Sequence, residues 1–183
     1  MEDNIDMYKV LHMYIRRMSI QYILMKKILI ECEKNNKYTF INLNDEENDM
    51  LIMLESTCNS ILSEYCSMFN DIKKIMNDIQ NNESDIDFLT KELNKLLSTG
   101  SIGIKFSVLS FILLCSKYPN VYNICPSDVI DVNMLKKLSD NKSEIIRFVK
   151  KKNINNNCNL LNTFIKFCCI SVAVYFILKK IVN

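Results

Sequence analysis

Residues 102–118 read IGIKFSVLSFILLCSKY. Apart from Lys105 and small serines the run is apolar nearly all the way round, and a helix without a wet face has to be enclosed by its neighbours. This stretch therefore predicts a central buried helix. The remaining segments must supply the walls, and their apolar periods are helical almost throughout. Upstream, Tyr8, Leu11, Ile15, Met18, Tyr22, Met25 and Leu29 step by three and four, giving a long amphipathic first helix. Beyond Ser19 this helix becomes apolar on several sides (Ile20, Ile23, Leu24, Ile28, Ile30), so that part needs cover from within the domain or from a second copy.

Residues 34–43 are polar and irregular. Asn44 with Glu47 then forms an N-cap with an acidic third position, opening a helix at about Asp45 whose stripe is Leu51, Leu54, Cys58, Ile61, Leu62 and Tyr65. Phe69, Ile72, Ile75 or Met76, and Ile79 carry another helix or a continuation to about Gln80. Ser84 with Asp87 starts the next, with Ile86, Leu89, Leu93, Leu96 and Leu97 on its face, and Thr99, Gly100 and Ser101 stop it. Pro126 suits the first turn of a short helix through Val129, Ile130, Leu135 and Leu138. Asn141 with Glu144 opens a last one through Ile145, Ile146, Phe148 and Val149.

The tail carries the strongest single signal. Residues 160–178 (LLNTFIKFCCISVAVYFIL) hold only Asn162 and Lys166 as strongly polar interruptions, and a helix of that length spans roughly 28 Å, the thickness of a bilayer core. Lys179 and Lys180 follow it, and Lys150, Lys151, Lys152 and a polar run precede it. Lys166 lies in the first third of the span, from which its ammonium can extend to the interface. The expected organisation is a helical bundle over 1–152, a polar tether over 153–159 and a transmembrane anchor over 160–182, inserted after translation. The alternative is a buried C-terminal helix of a soluble domain.

Composition agrees and excludes several classes. The 183 residues include 49% hydrophobic and 24% charged positions, enough for one compact domain and too few for two full cores. Two Gly and two Pro are too few for turn-dense all-β architectures. The net charge of +2 arises from 23 basic and 21 acidic residues scattered along the chain, so no basic face for nucleic acid is implied. The N-terminus resembles no secretory leader, and the eight cysteines are expected as reduced thiols, mostly small core hydrophobes, with S-acylation of Cys168 and Cys169 a minor option. No Gly-rich phosphate loop occurs, and the sole histidine, His12, has no second imidazole to join it in a metal site. Neither an enzyme nor a cofactor is expected.

Three stretches together resemble the Bcl-two family of cell-death regulators, in its divergent poxviral branch. Residues 103–111 (GIKFSVLSF) resemble the first Bcl-homology motif, in which a Gly and a basic residue open the central helix and a Phe follows eight positions later. Cellular members place Arg directly after the Gly; here Ile104 stands there, and Lys105 follows, as poxviral members tend to have it. Residues 54–61 (LESTCNSI) look like a decayed third homology motif, with Cys58 at its small position and Asn59 replacing its Asp. The cation-flanked tail is similar to the anchors that place family members on the outer mitochondrial membrane.

The resemblance implies an all-α, Bcl-two-like bundle whose groove receives the amphipathic death-motif helix of a pro-apoptotic host protein of the Bax, Bak or death-motif-only class. By position, Ile61, Tyr65, Met68 and Phe69 would come from the second helix and Ile72 from the next turn. Leu93 and Leu97 would form the opposite wall, with Lys105 and Val108 at the floor and edge. Gly103 would let the ligand backbone come close where a Cβ obstructs. Lys105 would meet an Asp of the ligand, since a cation at a helix N-terminus opposes the dipole unless an anion comes to it. The plain alternative for each apolar residue is ordinary core, and for Lys105 a solvated helix start. The function implied is a tail-anchored viral inhibitor of host apoptosis at the mitochondrial outer membrane, with the bulk of the chain facing the cytosol. Alternatives are a modulator of innate immune signalling that binds adaptors without using the groove, a pro-death effector, and a coiled-coil tether. A homodimer that exchanges the first helix stays open.

Overall fold

A computed structural model describes residues 4–26, 42–64, 83–119 and 124–154. Every regular element among them is a helix: α1 (Met7–Lys26), α2 (Asp45–Glu64), α3 (Glu83–Thr99), α4 (Ile102–Lys117), α5 (Pro126–Val129), α6 (Val132–Ser139) and α7 (Lys142–Ile154). The expected anchor over 160–182 and the tether beyond Ile154 lie outside the described residues; none of the described helices is long and apolar enough to cross a membrane. Helix α7 runs to Ile154, so the first two residues of the expected tether are helical.

The apolar run is α4, and it sits where its lack of a wet face requires. It packs against α1, α2, α3, α5 and α7, and twelve of its residues, from Gly103 to Ser116, are buried. Its serines are accommodated by bonding back to the helix: Ser107 Oγ donates to the Gly103 carbonyl (2.9 Å), Ser110 Oγ to Phe106 (2.7 Å) and Ser116 Oγ to Leu113 (2.7 Å). No hydroxyl of the three is left unsatisfied in an apolar surround. Phe106 stacks on Phe148 of α7 at 4.4 Å between ring centres, fixing that helix across α4.

The outer helices follow their stripes. Leu11, Ile15, Met18 and Tyr22 of α1 are buried, joined by Val10 and Tyr14; Leu51, Leu54, Cys58, Ile61 and Leu62 of α2 are buried, as are Leu89, Leu93 and Leu97 of α3. The cap of α2 forms as its residues dictate: Glu47 N donates to Asn44 Oδ1 (2.8 Å) and Asn44 N to Glu47 Oε2 (2.9 Å). The other oxygen of Glu47 accepts from Asp6 N (3.1 Å), so one buried carboxylate ties the starts of α1 and α2.

Three local expectations are revised. Helix α3 begins at Glu83, ahead of Ser84. The single helix expected after Pro126 is two, because Ile130 is extended and Asp131 recaps the chain, accepting from Met134 N at 2.7 Å. The cover required beyond Ser19 is not supplied by the described residues for Ile20, Leu24 and Met25, which are 40%, 52% and 53% exposed.

Candidate functional site

The start of α4 carries the residues singled out as a ligand contact. The turn into it is tight: a Cβ at Gly100 would run into the Leu96 carbonyl oxygen and the Ile104 side chain, so the α3–α4 corner admits only glycine without a shift. Ser101 then caps α4 in extended backbone without a side-chain bond. Gly103 is different. It is buried, yet a Cβ built there meets nothing within 4 Å, so a space opens beside the first turn of the central helix.

Lys105, one half-turn on, is only 7% exposed. Its ammonium donates to Asn141 Oδ1 at 3.1 Å, at the junction of α6 and α7. No carboxylate of the described residues lies within ion-pair distance of it, in contrast to Lys9, Arg17 and Lys152, which pair with Glu47, Glu55 and Glu64. The solvated-helix-start alternative for Lys105 does not apply. Asn141, expected as the N-cap of the last helix, uses its side chain otherwise: Nδ2 donates to the Lys137 carbonyl at 2.7 Å while Oδ1 takes the Lys105 ammonium. Periodicity could not have revealed this, since the contact joins residues 36 apart.

Of the other expected contact residues, Ile61, Leu93, Leu97 and Val108 are buried in the core shared by α2, α3 and α4. Tyr65, Met68, Phe69 and Ile72 lie outside the described residues. On α4, Lys105 and Val108 stand three residues apart on one side of the helix and Gly103 lies round on the other, while Leu93 and Leu97 sit on α3, which packs against α4.

The motif-like stretch 54–61 is turned inward. Leu54, Cys58 and Ile61 are fully buried, and Asn59, at the motif's Asp position, accepts from Lys117 Nζ of α4 at 2.8 Å. Burial pushes the Cys58 thiol up to about 11, with Tyr14 and Ser110 beside it pulling the other way. The thiol of Cys115 is likewise raised well above its ordinary range by burial. His12, stacked on Tyr8 at 6.0 Å, is held below its ordinary pKa by burial and by Arg16.

In comparison with known proteins, the family model described as apoptosis regulator M11L like matches residues 8–181, nearly the entire chain. No curated protein and no solved structure matches.

Proposed function

Because this chain belongs to the M11L-like apoptosis regulators, we propose that it inhibits the death of an infected host cell by sequestering death-motif helices of pro-apoptotic proteins of the Bax, Bak and death-motif-only classes. The reading is of a binding protein, not an enzyme, carrying a poxviral variant of the Bcl-two-like bundle. The tail over 160–182 would hold it on the outer mitochondrial membrane, with the bundle in the cytosol.

The observation that carries the reading is the open space beside Gly103 at the start of an otherwise enclosed helix. A ligand helix laid across that turn could bring its backbone close, with its anchors facing Leu93 and Leu97 of α3 and Val108 of α4. Those three side chains are buried in the free protein, so the proposed binding requires α3 to part from α4. The chain's own motif supports a guardian over an executioner: Leu54, Cys58 and Ile61 are committed to the core, and Asn59 is held by Lys117, leaving no motif free to dock into another groove.

The test is calorimetry of the full chain in mild detergent against a panel of death-motif peptides, with Gly103→Glu alongside. A Cβ at Gly103 meets no atom within 4 Å, so the first turn of α4 should still form in the variant and helicity should be retained. Binding of one or more peptides by the wild type, lost in the variant, is expected. No heat from any peptide at tens of micromolar would overturn the reading, and full affinity in the variant would remove the groove from this end of α4.

A further inference from the structure

We propose that the end of the bundle at which α1, α2, α4 and α7 all finish is a lipid-facing surface, on which Ile20, Leu24 and Met25 of α1 and Tyr118 after α4 rest in the headgroup layer of the membrane that holds the tail. The inference rests on the anchored reading of the tail given above and goes beyond it, from the anchor to a face of the bundle.

The four helices end together. Arg17 of α1 pairs with Glu55 of α2, and the starts of the same two helices meet at Glu47, so they run side by side in one direction. Helix α4 finishes against both: Ser116 Oγ lies 3.5 Å from Gln21 Oε1 of α1, and Lys117 Nζ donates to Asn59 Oδ1 of α2 at 2.8 Å. The end of α7 joins them through Lys152 on Glu64 and Asn153 on Thr57. Of the six large apolar or aromatic side chains exposed among the described residues, four lie at this end. Ile20 and Leu24 stand one turn apart on one face of α1, Met25 follows, and Tyr118 is half exposed just past α4. The charges around them are cationic. Lys150 and Lys151 are exposed on α7, while Glu64, the one carboxylate in the last turns of the four helices, is taken by Lys152. Apolar side chains, a tyrosine and lysines gathered at one end match the acyl chains, headgroups and anionic phosphates of a bilayer surface.

The occupant is identified by where the chain goes. Helix α7 ends at Ile154, and only residues 155–159 precede the apolar stretch from Leu160. Fully extended, they reach at most about 18 Å, so an inserted tail keeps this end of the bundle near the lipid. The start of α4, with Gly103, then stands about 20 Å farther out, on the cytosolic side.

The chain contains no tryptophan, so a single one reports its own surroundings. The full chain carrying Leu24→Trp, Tyr118→Trp or Ile52→Trp is reconstituted into vesicles of phosphatidylcholine and phosphatidylglycerol, about 4:1, with and without brominated acyl chains. Ile52 is as exposed as Leu24 but lies twelve residues, about 18 Å, before the end of α2. Bromolipid should remove about half or more of the emission of Leu24→Trp and Tyr118→Trp, as for a ring at the headgroup–acyl boundary, and leave that of Ile52→Trp nearly unchanged. Vesicle flotation reads the anchor separately. Flotation without quenching at positions 24 and 118 overturns the inference and leaves the anchor standing. A blue-shifted but unquenched Leu24→Trp overturns it too, since the cover is then protein, from elsewhere in this chain or from a second copy. Equal quenching at all three positions means a bundle lying flat or drawn down by the added ring, and likewise overturns it. A chain that does not float overturns anchor and inference together.

Discussion

At the scale of single residues, burial decides the chemistry of the thiols. Cys58 and Cys115 belong to α2 and α4, have no accessible surface, and carry pKa values raised by desolvation, to about 11 in Cys58. Both are free thiols, as is the partly exposed Cys125 ahead of α5. Since the thiolate is the reactive form, iodoacetamide at pH 8 should modify Cys125 in the native protein within minutes and leave Cys58 and Cys115 unmodified until the chain is unfolded in urea. Peptide mapping by mass spectrometry reads the order directly; prompt native alkylation of Cys58 would show that α2 does not stay seated on α4. Reading these cysteines as core hydrophobes was within reach of the sequence, because each falls on an apolar stripe. The partners of Lys105 and Asn59 were not. Both are polar residues whose acceptor or donor lies 36 and 58 positions away, and no periodicity encodes a contact between two helices.

At the scale of elements, charge pairing closes the bundle at one end. Lys152, near the end of α7, places its ammonium 2.6 and 2.8 Å from the two carboxylate oxygens of Glu64, the last residue of α2. Asn153 adds a donor to Thr57 Oγ1 at 3.1 Å. The pair is asymmetric: the lysine side chain is 7% exposed and the glutamate 35%. Removing the buried partner's counter-ion should therefore hurt more than removing the buried partner. Glu64→Ala strands an ammonium in the interior and should lower stability by about 2–3 kcal/mol, whereas Lys152→Met leaves a carboxylate that water can reach and should cost about 1 kcal/mol or less. Urea unfolding of the two variants and the double variant gives the coupling, and equal losses would mean that the pair is solvated. The helices joined here were legible from their stripes, and the Asn44–Glu47 cap from its spacing. What was not legible is the break at Ile130–Asp131, because Pro126 and the apolar positions after it are as consistent with one helix as with two. The exposure of Ile20, Leu24 and Met25 was hidden for the opposite reason: an apolar residue reports a preference for cover and not its supplier.

At the scale of the whole molecule, α1 is the helix through which local titration becomes global stability, since it packs against α2, α4, α5 and α6 at once. His12 lies on it, stacked on Tyr8, with its pKa lowered first by burial and then by Arg16. A histidine whose folded pKa lies below its unfolded value binds a proton less readily in the fold. Its contribution to stability is complete above the unfolded value near 6.5 and is lost as pH falls through that value towards the folded one. Asp128 of α5 acts in the opposite sense and lower on the scale. Burial raises its pKa above 3.8, so the fold is relieved of a desolvated carboxylate as acid protonates it. The urea midpoint of the full chain in mild detergent should accordingly fall between pH 7.5 and pH 5.5, and His12→Asn should flatten that part of the curve without lowering the midpoint at pH 7.5 by a comparable amount. In Asp128→Asn the same fall should persist, with a higher midpoint at neutral pH. If the wild-type and His12→Asn curves run parallel over this range, the imidazole is solvated in the fold, and the first helix is seated on the bundle more loosely than its buried Val10, Tyr14 and Met18 require.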